Sequence, residues 1–536
     1  MSLQFIFGNS GSGKSHYLYQ QIVEESIRHP EKNYLVLVPE QFTMQTQKDL
    51  CMAHPRGGIM NIDVLSFGRL AHRVFEETGK ERQPILDDEG KNLVLRKIAG
   101  NYEDELTVLK GNLKKQGYIS EVKSVISEFT QYGIDFEQLD SFMEGLNPES
   151  YLYYKLKDIR KVYEGFEDYL RDKYITKEEL LDVLSQTVPE AKMLKGSVIA
   201  MDGFTGFTPV QNRLIGELLK VCDKIMLTVE IDRREDPFVY KHPYQLFALS
   251  KQMVTSLTEV AQEVRVEIDE PVWLCKNPPY RFKENPEMAF LEEELFRYSR
   301  RKYSGKKMQS ISLHEVHTPQ EEAQYVAEEI RRLVREEGYR YREIAVIASD
   351  LNTYADSLEK ACERYEIPVF MDHKKSILLN SFVEYLRSLL VMVEQNYTYE
   401  SVFRYLRTSL CGFTRDEVDR LENYCLALDL KGFKKWDQVW VRKTPMTTKE
   451  ELEELNHLRM RFVEKLTPLH TVLKKRKKTV KEITLAVYEY LVQEKIQEQL
   501  AELEQKFQED GELALAKEYA QIYRIVLELF DKFVEL

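Results

Sequence analysis

The stretch FIFGNSGSGKSHYL, residues 5–18, decides the fold of the first part of the chain. Its first residues are apolar and predict a buried strand, whereas the residues after Lys14 have the apolar spacing of a helix. Between them, residues 8–15 match the pattern GxxxxGK[ST] at every fixed position. Glycines in such a turn let consecutive backbone N–H groups point at one anion, beside the positive end of the helix dipole. The stretch therefore predicts an α/β fold that binds the phosphates of a nucleotide.

Every residue of this phosphate loop is a candidate nucleotide ligand: Gly8, Asn9, Ser10, Gly11, Ser12, Gly13, Lys14 and Ser15. We expect Lys14 to reach the β and γ phosphates of ATP, and the Ser15 hydroxyl to ligate Mg²⁺. The alternative is a glycine-rich strand-to-helix turn without a ligand, and the complete pattern in its strand–turn–helix context disfavours it. Whether a bound nucleotide is hydrolysed is a separate question.

The pattern of apolar residues divides the rest of the chain into segments. Strand and helix alternate on both sides of a long helical stretch, which predicts one parallel sheet interrupted by a helical insertion. The predicted segments are 1–84, the first part of an α/β domain; 85–190, the helical insertion; 191–263, the second part of that domain; 264–307, a linker; 308–379, the start of a second α/β domain; and 380–536, a further helical insertion.

Composition restricts the class of protein. The 536 residues are 43% hydrophobic and 31% charged, as in globular proteins. The formal net charge of −13 gives no bulk attraction to nucleic acid, so any DNA contact needs local basic patches. The six cysteines have no CxxC spacing, which predicts reduced thiols in a cytoplasmic protein and no zinc or iron–sulfur site in this stretch. No apolar run approaches the ~20 residues of a membrane span, so we expect no membrane partner.

Two groups of residues are candidates for DNA contact. Ligands of parallel sheets gather beyond the carboxyl ends of the strands, and the residues expected there are Gln41, Thr43, Ser66 and Arg69. Their ordinary alternatives are helix capping, as for Ser66, and simple solvation, as for Gln41. The second group is the basic runs 297–307 and 474–478, for which a solvated charge run is the more ordinary interpretation. The aromatic-rich helix at 151–174 is interpreted as core packing, with base stacking as the alternative.

The order of these features resembles the superfamily-1 helicases of the UvrD type. It is most similar to the B subunits (AddB, or RexB) of the heterodimeric helicase–nuclease AddAB. The resemblance spans the chain and rests on four stretches: FGNSGSGKS (7–15), LVPEQFTMQTQKDL (37–50), VLSFGRLA (64–71) and MDGFTGFTPVQNRLI (201–215). It implies that both α/β domains are RecA-like P-loop NTPase sheets with large helical insertions.

The last of these stretches bears on the chemistry. In active motors of this superfamily it begins Asp-Glu, and the glutamate positions and deprotonates the attacking water. This chain keeps Asp202, which is suited to the Mg²⁺ shell, but has Gly203 at the glutamate position and Gly206 at a later acidic position. We therefore expect ATP binding without a catalytic residue and without motor activity. An active ATP-driven DNA translocase and a P-loop ATP-binding protein unrelated to DNA are the alternatives.

The resemblance also implies a role in a larger assembly. B subunits pair with A subunits, which carry the motor and a nuclease, and the heterodimer processes double-strand DNA ends for recombinational repair. In B subunits, the helicase-like part binds single-stranded DNA and recognises a Chi hotspot, and a C-terminal nuclease domain with an iron–sulfur cluster cuts with 5′→3′ polarity. Because the last predicted helix runs to the final residue, we expect this chain to be part of a longer protein, with the nuclease residues outside it.

Overall fold

A computed structural model describes residues 1–79, 84–113, 115–171, 173–305, 308–372, 376–445 and 447–536. The chain forms two compact units, Met1–Leu313 and His314–Leu536. We call them unit 1 and unit 2 and describe each by itself.

Unit 1 is built on one parallel sheet. Its strands are β1 Ser2–Gly8, β2 Tyr34–Leu37, β3 Ile62–Leu65, β6 Val198–Met201, β7 Lys224–Glu230, β8 Glu267–Ile268 and β9 Val272–Trp273, with a separate pair formed by β4 Ile85–Leu86 and β5 Ile175–Thr176. The order in the main sheet is β3-β2-β6-β7-β1, with β8 and β9 both beside β1. Successive residues of β1 alternate between the faces, so that Phe5 and Phe7 enter one core cluster and Ile6 enters the other. Burial on both faces is typical of parallel sheets, and the predicted α/β fold is confirmed.

Helices cover both faces of this sheet. The helices of unit 1 are α1 Lys14–Arg28, α2 Thr43–Ala53, α3 Phe67–Thr78, α4 Asp88–Asn101, α5 Gln116–Tyr132, α6 Phe136–Glu144, α7 Tyr151–Leu170, α8 Leu180–Thr187, α9 Pro209–Leu219, α10 Ala248–Glu263 and α11 Pro286–Glu294. α1 and α2 pack on one face through residues such as Leu18 and Leu50. α3, α8, α9 and α10 pack on the other, where Leu70, Leu184 and Leu214 are fully buried. This packing fixes the strand ends, and therefore the phosphate loop, in one rigid layer.

The region from 85 to 190 contains α4–α8, as its apolar spacing predicts. It also contains a strand pair that the sequence did not predict, because Ile85 and Leu86 lie beside Ile175 and Thr176 in parallel register. Two-residue strands are too short to show a period of two. The pair joins the chain where it enters the insertion to the chain near its exit. A buried ion pair between Lys91 and Glu178, at 2.6 Å, strengthens the same junction.

The segment 264–307 differs from the predicted linker. β8 and β9 extend the main sheet beside β1, where Asp269 N donates to Leu3 O at 2.8 Å and Leu274 N donates to Phe7 O at 2.8 Å. The segment then forms α11 and remains within unit 1. Its strands are again only two residues long, which explains the weak pattern in the sequence. The last two cations of the predicted basic run, Lys306 and Lys307, lie outside the described residues.

Unit 2 is helical in its described residues. Its helices are α12 Pro319–Glu336, α13 Leu351–Arg364, α14 Ser381–Glu394, α15 Tyr399–Leu406, α16 Arg415–Ala427, α17 Phe433–Asp437, α18 Lys449–Leu473, α19 Val480–Gln493, α20 Ile496–Glu509 and α21 Leu513–Glu535. α12 and α13 share a small core that includes Ala327 and Leu358. α14–α21 surround a larger core that contains the fully buried Trp436 and Phe462. The predicted helical character of 380–536 agrees with this architecture.

The α/β domain predicted to start at 308 implies strands at the apolar runs 309–316, 342–349 and 367–372, but the described residues of these runs form no strand. A strand is stable only when a neighbour pairs with its backbone, and these apolar segments have no such neighbour. Instead they leave large side chains in solvent, with Ile347 95% and Phe370 88% exposed. Residues 344–348 and 367–372 line a cavity of about 740 Å³. Apolar composition therefore predicts a hydrophobic surface in these segments correctly, but it does not predict whether they pair as strands.

Candidate nucleotide-binding site

The carboxyl edge of the unit 1 sheet collects the loops that follow its strands. The phosphate loop follows β1 and leads into α1, whose N-cap Gly13 has φ 93°. An L side chain adopts this left-handed conformation only with strain, which explains a glycine there. A Cβ atom built at Gly13 would meet nothing within 4 Å, so the space in front of the helix N-terminus is open. The loop therefore offers the geometry that phosphate groups occupy at helix N-termini.

Lys14 lies over the phosphate loop. Its Nζ donates a hydrogen bond to Asn9 O at 2.9 Å. Burial lowers the pKa of Lys14 below the usual lysine value, against the opposing effect of the Glu230 and Asp202 carboxylates. Two other polar atoms of the loop, Asn9 Oδ1 and Ser12 Oγ, are buried and have no hydrogen-bond partner among the described residues. Orphaned polar atoms are uncommon in folded proteins. The Ser12 hydroxyl can donate to a phosphate oxygen, whereas Asn9 Oδ1 is an acceptor and needs a donor such as water.

Asp202 follows β6 and is buried. Its Oδ2 accepts a hydrogen bond from the Tyr19 hydroxyl at 2.7 Å, and its Oδ1 accepts one from Thr228 Oγ1 at 2.5 Å. Burial raises the pKa of Tyr19 above the usual tyrosine value, and the adjacent Asp202 carboxylate adds to the shift. An ionised carboxylate has about four lone-pair sites, so two remain for water or a cation. Asp202, with Ser15 in the first turn of α1, would hold Mg²⁺, which when bound neutralises phosphate charge, and this assignment stays a prediction.

The β6–α9 turn, residues 202–208, contains Gly203, the position where the resemblance to active motors predicts a glutamate. Gly203 has φ 78°, and a Cβ atom built on it would lie 3.6 Å from Pro39 Cδ and 3.9 Å from Phe42 Cδ2. A side chain at this position would therefore start out toward the β2–α2 loop, from a strained backbone. Position 203 therefore has no carboxylate. Its positive φ also disfavours any residue with a side chain there.

The other family-like residues of this turn have structural partners. Gln211 forms a capping box with Thr208: Thr208 N donates to Gln211 Oε1 at 2.9 Å, and Gln211 N donates to Thr208 Oγ1 at 3.3 Å. The Phe204 ring lies against Phe67 and Phe207, with centroids 5.5 and 5.1 Å away. These contacts satisfy the first turn of α9 and pack it against α3. These contacts give Phe204 and Gln211 structural roles that require no part in hydrolysis.

Residues 274–292, which we call the cover segment, lie against the phosphate loop. Arg281 N donates to Gly11 O at 3.0 Å, and Asn9 Nδ2 donates to Glu292 Oε2 at 3.0 Å. The Arg281 guanidinium contributes to the lowered pKa of Lys14, so a second cation faces the loop. Burial raises the pKa of Glu292, as do two neighbouring carboxylates, against the hydrogen bond from Asn9. Sequence reasoning missed Arg281 and Glu292 because contacts between residues so distant along the chain leave no local pattern.

The residues predicted for DNA contact fall into two classes. Thr43 and Ser66 are buried and have structural partners, because Thr43 Oγ1 donates to Glu40 O at 3.0 Å and Ser66 Oγ accepts from Arg69 N at 3.4 Å. Gln41 and the Arg69 side chain are exposed at the same edge. The helix cap predicted as the alternative for Ser66 is therefore present, and a DNA role for these four residues stays a prediction.

The described part of the chain contains no group of three or more His, Cys, Asp or Glu residues arranged to hold a metal ion. All six cysteines are free thiols, four of them buried. Within the same described ranges, no helix has the length and apolar character needed to cross a bilayer.

Comparison with known proteins defines the family. Residues 5–292 match the family model described as ADDB, N-terminal, and residues 285–536 match that of the UvrD-like helicase C-terminal domain. The B subunit of the ATP-dependent helicase/deoxyribonuclease of Lachnoclostridium phytofermentans is 40% identical over 542 residues, which cover 100% of this chain and 47% of that protein. Proteins of the same name from Clostridium novyi and Acetivibrio thermocellus are each 32% identical, covering 100% of this chain and 46% and 47% of their own lengths.

The chain thus spans about half the length of the curated relatives it matches. Both family matches together cover nearly every residue, and the order of features agrees with the resemblance inferred from the sequence. The chain belongs to the family formed by the B subunits of ATP-dependent helicase/deoxyribonucleases.

Proposed function

We propose that this chain is the helicase-like, non-motor part of a heterodimeric ATP-dependent helicase/exonuclease that processes double-strand DNA ends for recombinational repair in the cytoplasm. It binds ATP with Mg²⁺ at the phosphate loop and by itself has little or no ATPase or nuclease activity. One observation carries this proposal: an intact loop with Lys14 lies at the same sheet edge as Gly203, where a water-activating glutamate would be needed. Loss of a general base typically costs about 10²–10⁴ in rate.

In this proposal the residues of the site bind and hold rather than react. Lys14 leaves the Asn9 carbonyl and meets the phosphates, while the open helix N-terminus at Gly13 supplies backbone donors. Tyr19 and Thr228 keep the Asp202 carboxylate in place. The cover segment closes over the loop through Arg281. Bound ATP is therefore a structural or regulatory ligand.

The proposed partners rest on the family and on the names of the relatives, which describe one subunit of a larger enzyme. The A subunit, which carries the motor and a nuclease, completes the heterodimer. Single-stranded DNA passes the carboxyl edge of the sheet at Gln41, Thr43, Ser66 and Arg69, and this chain recognises the Chi hotspot. We place the 5′→3′ nuclease and its iron–sulfur cluster outside the residues of this chain, which covers 47% of the length of the Lachnoclostridium phytofermentans protein.

The test is unwinding by the reconstituted heterodimer with Lys14→Ala in this chain. We expect the unwinding rate of a blunt duplex to stay within about twofold of wild type, because the partner supplies the motor. The number of ATP molecules bound per complex is expected to fall by one. Loss of unwinding in the variant complex, together with ATP hydrolysis by the wild-type chain alone that is lost when Lys14 is replaced, would instead favour the alternative that this chain is an active translocase.

A further inference from the structure

Two basic runs of similar composition have different surroundings in the fold. In the first, at 297–302, Arg297 binds Asp232 at 2.6 Å and Glu235 at 2.8 Å. In the same run, Arg301 binds Glu293 at 3.1 Å and Glu294 at 2.5 Å. These arginines are neutralised by acids of unit 1, where they join the end of α11 to the residues after β7. This run is part of the fold's own ion-pair network.

The second run, residues 474–478, is the loop between α18 and α19 in unit 2, and we call it the basic loop. Its residues Lys474, Lys475, Arg476, Lys477 and Lys478 are all exposed. Among the residues that the structure describes, no carboxylate lies within ion-pair distance of any of them. The Lys478 ammonium donates to Leu473 O, the last carbonyl of α18. Five neighbouring cations repel one another unless an anion neutralises them.

A second group of cations lies next to the basic loop. The His470 ring, in the last turn of α18, stacks on the Phe433 ring of α17, with centroids 3.7 Å apart and an interplanar angle of 12°. This contact holds α17, with its exposed Lys434 and Lys435, against the end of α18. Lys474 lies close enough that, after burial, it is the next cause of the lowered pKa of His470. The cations of α17 and of the basic loop therefore belong to one surface.

The acids on these elements do not neutralise that surface. Asp429 pairs with Lys431 at 3.1 Å, before α17. Glu482 is used at the start of α19, where its carboxylate accepts from Thr479 N at 2.8 Å. Asp437, at the end of α17, is the remaining acid near His470. Glu482 also lies near enough to Lys475 for that cation to contribute to the lowered pKa of Glu482. Among the described residues, the five cations of the basic loop and the two of α17 thus outnumber the two nearby carboxylates, Asp437 and Glu482.

We propose that the basic loop, together with Lys434 and Lys435, binds the phosphate backbone of duplex DNA. The proposal rests on the proposed DNA-end function and adds a duplex contact in unit 2. The surface favours duplex over single-stranded DNA because single-strand sites combine cations with exposed rings on which bases stack. The described residues of 431–482 contain no exposed Phe, Tyr or Trp, and the Phe433 ring is covered by His470. A surface with cations but no exposed aromatic rings binds the DNA phosphate backbone and does not distinguish base sequence.

The test compares two triple variants of the protein that remove the same charge. Lys475→Gln, Arg476→Gln and Lys477→Gln change the basic loop, whereas Arg404→Gln, Arg407→Gln and Arg420→Gln change three ion-paired arginines on the surface of unit 2. Affinity for a blunt duplex of about 30 base pairs is measured by fluorescence anisotropy at several salt concentrations. Each phosphate contact contributes about 0.9 to the log–log salt slope. We expect the basic-loop variant to lower the slope by about 2 to 3 for any sequence, and the control to leave it unchanged.

The outcomes separate this proposal from the proposed function. Duplex binding by wild type with an unchanged slope in the basic-loop variant would overturn the surface and leave the DNA function standing. Absence of duplex binding by wild type would overturn both. A slope that changes for single-stranded but not duplex DNA would overturn the duplex assignment. Loss of assembly with the motor-carrying partner, at an unchanged slope, would overturn it too and identify the surface as a protein contact. Far-ultraviolet circular dichroism confirms that both variants are folded.

Discussion

The phosphate loop and the β6–α9 turn lie at the same edge of one parallel sheet, but they retain different parts of a nucleotide site. The loop has a cation, an open glycine at the helix N-terminus and two buried polar atoms without partners among the described residues. The turn has Asp202, held by two hydroxyls, and a left-handed glycine at the next position. In the proposed function, ATP binding requires only the loop, whereas hydrolysis would require a side chain from the turn. The two properties can therefore be lost separately.

The largest expected effect is at the loop. Lys14→Ala is expected to weaken ATP binding by about 10- to 100-fold, because a hydrogen bond to a charged group contributes about 1.5–3 kcal/mol. Isothermal titration calorimetry measures the affinity. Lys110→Ala is the control, since Lys110 is exposed and forms only a surface pair with Asp104 at 3.6 Å. Equal ATP affinities for wild type and Lys14→Ala would remove the loop from the site.

The next largest effect is at Asp202, the carboxylate that Tyr19 and Thr228 hold at the turn. Thr228→Val removes the buried donor to Asp202 without changing side-chain shape, so we expect unfolding free energy to fall by about 1–3 kcal/mol. Tyr19→Phe removes the other donor and is expected to act in the same direction. Urea denaturation measures both. Thr255→Val is the matched control, because the Thr255 hydroxyl bonds only to carbonyls of its own helix. An unchanged midpoint for Thr228→Val would contradict the role of this hydroxyl.

A smaller effect tests the turn itself. Gly203→Ala forces a side chain into a left-handed conformation, at a cost of about 1–2 kcal/mol. Gly206→Ala is the control, since Gly206 has no positive φ and a Cβ atom there would meet nothing within 4 Å. Gly203→Glu is expected to show the same loss of stability without gaining ATPase activity. ATP hydrolysis by Gly203→Glu would contradict this expectation. It would show that the turn lacks activity only because it lacks a carboxylate, and not because of its backbone conformation.

The smallest effect concerns the cover segment. Glu292→Gln retains an acceptor for Asn9 and removes a negative charge beside the loop, so ATP is expected to bind about 3- to 10-fold more tightly. Because burial raises the pKa of Glu292, wild-type affinity should increase as pH falls and this carboxylate is protonated. The Glu292→Gln variant should lack the part of this pH dependence that comes from Glu292. Glu284→Gln, an exposed position of the same segment, is the control for titration of ATP itself. Identical pH profiles for wild type and Glu292→Gln would exclude an effect of this charge.

The parts of this comparison that were predictable from sequence are those with local patterns. β1, β2, β3, β6 and β7 are apolar runs bounded by turns, and the loop is a contiguous motif, so both followed from periodicity and spacing. Asp202 and Gly203 were located through the resemblance of one stretch to active motors. Thr228 is the one polar residue inside the apolar run of β7, which hints at a buried polar contact. The sequence does not predict that Asp202 is its partner.

The parts that were missed depend on long-range pairing. β8 and β9 are two residues each and exist because β1 has a free edge, so their segment was interpreted as a linker. Arg281 and Glu292 meet the loop only after that pairing is made. Conversely, the apolar runs at 342–349 and 367–372 predicted strands that the described residues do not form. Local composition indicates whether a segment tends to be buried. It does not indicate whether another strand has a free edge with which that segment can pair.

In the proposed function, this chain holds ATP without turning it over. The most direct measurement incubates the purified chain with radiolabelled ATP, Mg²⁺ and single-stranded DNA, then separates bound from free nucleotide and identifies both. We expect about one bound nucleotide per chain, recovered as ATP, with no ADP above the protein-free level, and about 10- to 100-fold weaker retention of ATP by Lys14→Ala. DNA-stimulated release of ADP that is abolished by Lys14→Ala would contradict it.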